Sequence, residues 1–177
     1  KIFTLNLYET ENSYPLFLFN YLIYCFILIL HYKCSKIFLK STELALLSVL
    51  IYSCLTNSYL YLKHAVPYDS SLLILYYSFY KSILYQQIEN TTPFRYFKLG
   101  VIATFGYLVY PGFFPLVFLI GLFVLLYNPH DELIFKRFKK IFFLIIGGIS
   151  LLVCFELLSN IGGKSFLSAS RELSSTI

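Results

Sequence analysis

Apolar positions along the chain fall in long runs instead of alternating. The first runs from Tyr14 to Tyr32 and ends in the basic segment HYKCSK, and the second runs from Leu44 to Leu62. Each is long enough to read as a helix crossing a hydrocarbon core about 30 Å thick. A third run, Ser70 to Ile88, is more polar, with Ser71, Ser78, Ser82 and Gln86 spaced by seven, four and four. Those intervals put the four on one helical face, which is expected to turn towards other helices, where small and polar groups can hydrogen-bond.

The stretch from Tyr96 to Tyr127 covers 32 residues, about 48 Å as a single helix and far more than a bilayer core requires. Within it, YPGFFP at Tyr110 to Pro115 carries two prolines and a glycine. Proline removes a backbone donor and glycine permits unusual backbone angles, so two shorter helices joined by a tight turn are expected there. The last run is Ile141 to Leu158, followed by the more polar SNIGGKSFLSASRELSSTI. Gly100, Ala103 and Gly106 form a small-residue face suited to close helix contact, and Gly147 and Gly148 do the same in the last run.

The expected fold class is therefore all-α, a polytopic membrane helix bundle of about six spans with a broken pair at Tyr110 to Pro115. Charge supports the break. Six spans put Lys33, Lys36, Lys40, Lys81, Arg95, Lys98, Lys136, Arg137, Lys139 and Lys140, ten of the fourteen basic residues, on one side, and Lys1, Lys63, Lys164 and Arg171 on the other. A single helix from Tyr96 to Tyr127 would reduce that bias to eight against six. Since basic residues favour the cytoplasmic side, the ten are expected inside. Both ends of the chain, the KHAVPYD loop and the YPGFFP turn are expected outside, in a bacterial inner membrane.

Composition agrees. The chain has 177 residues, 58% apolar and 13% charged, against about 45–50% and about 25% in soluble domains. A water-soluble globule is excluded on that ground, and disorder by the 19 Phe and 17 Tyr. The net charge of +5 lies beside apolar runs and forms no continuous basic patch, so no nucleic-acid partner is expected. Cys25, Cys34, Cys54 and Cys154 have no metal-ligand pairing, and His31, His64 and His130 sit at different helix ends, so no metal or cofactor is expected. The chain opens at Lys1 without the form of a signal peptide and contains no Met. It is expected to be one transmembrane region, residues 1–177, belonging to a longer protein.

The loop LKHAVPYD sets a cation, an imidazole and an acid at the mouth of the polar third run. Lys63 and His64 suit a lipid phosphate. Asp69, followed by two serines, suits either orienting them or capping the helix that follows. Glu156, in CFELL near the outer end of the last run, is an ionisable group at membrane depth and hence a candidate by type; meeting water at the interface is the alternative. Lys81 lies near the cytoplasmic end of its helix and suits snorkelling.

Taken in order, HYKCSKIF, NSYLYLKHAVPYD, a helix rising from the acid, and RYFKLGVIATFGYLVYPGFFPLVFLIGLF resemble the membrane core of GT-C glycosyltransferases. These include protein O-mannosyltransferases and aminoarabinose transferases. The resemblance runs from about Tyr14 to Leu158 and rests on helix lengths and loop chemistry. It implies transfer of a sugar from a polyprenyl-phosphate donor to an acceptor at the outer face, with this chain forming the helical wall of the donor groove. It also implies that Lys63 and His64 contact the donor phosphate, that Asp69 orients them, and that Tyr110 and Glu156 line the mouth. The family's catalytic acid lies in a large outer loop after its first helix. Glu9 and Glu11 in ETEN do not reproduce that loop, so the resemblance places it before Lys1, in the remainder of the parent chain. Two other classes are a transporter or flippase segment, for which the Ser71 to Gln86 stripe would be the polar path, and a non-catalytic membrane subunit.

Overall fold

The computed structural model describes residues 14–54, 68–89, 91–163 and 165, and for 14–17 the backbone alone. Among the described residues it is all-helical, with no strand. Its α-helices are α1 (Tyr14–Leu39), α2 (Thr42–Ser53), α3 (Tyr68–Gln87), α4 (Pro93–Val109), α5 (Phe114–Leu126) and α6 (Ile134–Ile161). Two stretches, Leu18–Leu39 and Ile134–Ile161, are long and apolar enough to cross a membrane. At 20 residues α3 has the length, but its serines and tyrosines make it more polar.

Successive helices run in opposite directions. His31 of α1 meets Tyr52 of α2 while Ser35 meets Ser48, an antiparallel pair. Its turn is short because Lys40 adopts a left-handed φ of 53° and Ser41 accepts a hydrogen bond from Leu44 N at 3.3 Å, capping α2. α1 runs parallel to α3, with His31 beside Tyr76 and Lys33 over Tyr80. α3 runs antiparallel to α4, with Ser71 bonded to Gly106 and Gln86 to Tyr96. α4 and α6 are parallel: Tyr96 pairs with Lys140, Gly100 with Leu144 and Thr104 with Gly148, each 44 positions apart. Consequently α1 begins and α6 ends at the same end of the bundle.

The expected break is present. α4 stops at Val109, a 3-10 turn covers Pro111–Phe113, and Pro115 stands in the first turn of α5. The basic segments differ from expectation. HYKCSKIFL continues α1 to Leu39, and FKRFKK, which precedes the last apolar run, already belongs to α6. Nothing in either segment breaks a helix, and long basic side chains let a helix extend past its apolar stretch.

The polar face of α3 is buried as expected. Ser71 Oγ donates to Gly106 O at 2.6 Å and Gln86 Nε2 to Val124 O at 2.6 Å, tying α3 to α4 and α5. Ser78 and Ser82 donate to carbonyls of their own helix, Ile74 and Phe79. Gly100 and Gly106 do not share a partner. A Cβ on Gly100 would lie 1.9 Å from Leu144 O of α6, whereas one on Gly106 would meet Ile74 and Leu75 of α3 at 3.1 Å. Six residues turn a helix by about 240° beyond one full turn, which aims the two glycines at different neighbours.

At the end where α3 stops and α6 starts, Lys140 is only 7% exposed. Its ammonium donates to Gln86 Oε1 at 2.8 Å, forms an ion pair with Glu132, and stands 5.4 Å from the Tyr96 ring centroid. Tyr96 OH donates to the same Gln86 oxygen at 3.1 Å. Asn128 holds the connecting loop by accepting from Glu132 N at 2.9 Å, which presents the Glu132 carboxylate to Lys140. A buried cation needs such partners.

Candidate functional site

The two ends of the bundle differ in charge. All described Lys and Arg residues lie on the half containing the α1–α2, α3–α4 and α5–α6 connections, with Glu43, Glu89, Asp131 and Glu132. The opposite end carries Asp69 and Glu156 and, among the described residues, no basic side chain.

Of the residues singled out from sequence, Lys63 and His64 lie outside the described residues. Asp69 sits in the first turn of α3. It is the second residue of that helix, so it stands inside it and not at the cap position, and its Oδ2 is buried without a hydrogen-bond partner. Tyr110 ends α4, and its ring meets Tyr68 edge-on at 4.2 Å and Phe113 at 5.2 Å. The neighbour of Asp69 therefore packs on Tyr110, which brings these two candidates to one place. Gly112 leaves room for the Tyr110 ring, since a Cβ there would fall 2.4 Å from it. Glu156 stands at the same end on α6 and accepts from Asn160 Nδ2 at 3.3 Å and Ser165 Oγ at 2.8 Å.

Among the described residues, two concavities between the helices bear on function. A groove of about 720 Å³ runs between α1, α3, α4 and α6, walled by Phe26, Leu30, Ile74, Val101, Phe105 and Leu151. It is almost wholly apolar, with Lys33 at its rim.

The second, about 590 Å³, lies between α1, α2, α3 and α5 and contains a polar cluster. His31 Nε2 is 2.8 Å from Ser48 Oγ, and Nδ1 is 3.4 Å from Tyr76 OH. Its ring stacks on Tyr52 with centroids 4.9 Å apart, and Ser35 Oγ is 3.2 Å from Ser48 Oγ. Asp69 lies seven positions before Tyr76 on α3, nearer the acidic end of the bundle. Reading the sequence alone missed His31 because HYKCSK looks like a helix end. The available signal was spacing: His31 and Ser35, and Ser48 and Tyr52, are each four apart and share a helical face.

No family model matches the chain, and neither the curated proteins nor the solved structures contain a match to it.

Proposed function

We propose that this chain is the six-span membrane core of a polyprenyl-phosphate-sugar-dependent glycosyltransferase, a piece that forms the wall of the lipid-donor groove. The observation that carries the reading is the apolar groove between α1, α3, α4 and α6, whose volume of about 720 Å³ falls in the range of small-ligand sites, about 300–1,000 Å³. An isoprenoid chain needs such an unbranched apolar channel and asks nothing of it but dispersion contact.

The one-sided basic charge supports a membrane orientation with the connections bearing it in the cytoplasm, in the inner membrane of a bacterium. The Asp69, Tyr110 and Glu156 end then faces outward, with Lys63 and His64 as ligands for the donor phosphate. Cations at that point stabilise the charge on a departing lipid phosphate. The transporter reading loses support from the Ser71 to Gln86 stripe, because its groups bond to carbonyls and helical neighbours and leave no polar path.

The test uses the full-length parent protein reconstituted in liposomes with a polyprenyl-phosphate-linked sugar. Val101→Trp, which fills the groove, and the Lys63→Ala, His64→Ala double variant are each expected to abolish sugar transfer while inserting normally. Undiminished transfer in both would sink the reading.

A further inference from the structure

Two properties of the His31 cavity decide what it can hold. Among the described residues, none of its lining side chains is a lysine, arginine, aspartate or glutamate. An anionic ligand taken out of water there would have only the imidazole to offset its charge, and a cationic one no carboxylate among the described lining residues, a cost that burial makes large. The polar groups it does have, an imidazole and the hydroxyls of Ser35, Ser48, Tyr52 and Tyr76, all act as both donor and acceptor once hydroxyl rotation and tautomer choice are allowed. They gather on α1, α2 and the facing turn of α3. The α5 side contributes only Leu116, Leu119 and Ile120, with Leu75 and Phe79 of α3 beside them.

We infer that this cavity is a binding site for an uncharged long-chain alcohol. Its hydroxyl joins the His31, Ser48 and Tyr76 hydrogen bonds, donating to one and accepting from another, and its hydrocarbon chain lies along α3 and α5. A hydroxyl is the head group that this wall satisfies in both directions, and a neutral head removes the need for a countercharge. The inference does not rest on glycosyl transfer. The groove proposed for the phosphorylated donor lies on the opposite face of α1 and α3 and shares no lining residue with this cavity.

The experiment uses the full chain in detergent with a diazirine-bearing analogue of farnesol, followed by peptide mass spectrometry. Labelling is expected on the segments containing Cys34, Leu72 and Leu116. Farnesol should compete for it about tenfold better than farnesyl phosphate or squalane, the factor that about 1.4 kcal/mol of hydrogen-bonding selectivity gives. Ser48→Ala, which removes a hydroxyl and little bulk, should weaken farnesol competition several-fold, and His31→Phe should do so more strongly. Three outcomes would overturn the site. These are label spread over the outward faces of α6, squalane competing as well as farnesol (apolar filling alone), and farnesyl phosphate competing as well (an anion site). An unaltered farnesol competition curve in Ser48→Ala and His31→Phe, both showing the parent's thermal unfolding, would do the same.

Discussion

Gly147 of α6 lies so close to Phe97 of α4 that a Cβ on the glycine would fall 2.0 Å from the Phe97 carbonyl oxygen. Gly100 reciprocates from α4, where a Cβ would fall 1.9 Å from Leu144 O. At these two glycines the helices therefore touch backbone to backbone, while one turn further on the Thr104 hydroxyl lies against Gly148. Such close approach gains dispersion contact between main chains.

Gly100→Ala and Gly147→Ala should each destabilise the bundle by about 3 kcal/mol, the upper part of the overpacking range, because the obstructing atom is a backbone oxygen that cannot rotate away. Gly121→Ala is the control: a Cβ there meets nothing within 4 Å, and the loss of a helical glycine should be neutral or add up to ~1 kcal/mol. Thermal unfolding in detergent reads all three. Equal behaviour of Gly147→Ala and Gly121→Ala would contradict the contact.

Glu132→Gln should cost about 3 kcal/mol by leaving the buried Lys140 ammonium without its countercharge. The double variant Lys140→Met, Glu132→Gln should recover most of that loss, since the charge is removed with its partner. A double-mutant cycle on thermal unfolding measures the coupling. Additive single effects would mean that the ion pair is not formed.

Ser71→Ala should cost about 1 kcal/mol, because its hydroxyl links two helices through Gly106 O. Ser78→Ala and Ser82→Ala should change stability by less than about 0.5 kcal/mol, because their hydroxyls return to their own helix. The same unfolding assay ranks them, and a ranking with Ser78 or Ser82 above Ser71 would be wrong for this architecture.

Single-cysteine variants test the orientation. Thr92→Cys, between α3 and α4, should react with a membrane-impermeant maleimide only from the cytoplasmic side. Asn160→Cys, in the last turn of α6, should react only from outside. Labelling of both from one side would reject the proposed six-span arrangement.

Much of the helix packing was legible in the sequence because it depends on local spacing. The seven, four and four intervals from Ser71 to Gln86 mark a helix face, and that face is buried. The Pro and Gly in YPGFFP mark a break, and the chain turns there. The contact face of Gly147 and Gly148 was legible for the same reason. The His31 cluster was not, because its members come from three helices and only the packing angle brings Ser48 and Tyr76 to one imidazole. The Lys140 site was hidden in a different way. In FKRFKK every cation resembles the next, and only the register of α6 against α4 decides which one turns inward to Gln86 and Tyr96. Helix ends were obscured at HYKCSK, where basic residues look like a boundary but carry no backbone signal to stop the helix.

The glycine contact also limits how the bundle can move. Backbone oxygens against bare α-carbons leave α6 no room to roll on α4, because any rotation drives a neighbouring side chain into the partner's main chain. Those two helices form a fixed stave. By contrast, α1 and α2 meet α3 through a stacked imidazole, tyrosine rings and rotatable hydroxyls, contacts that can slide and re-form.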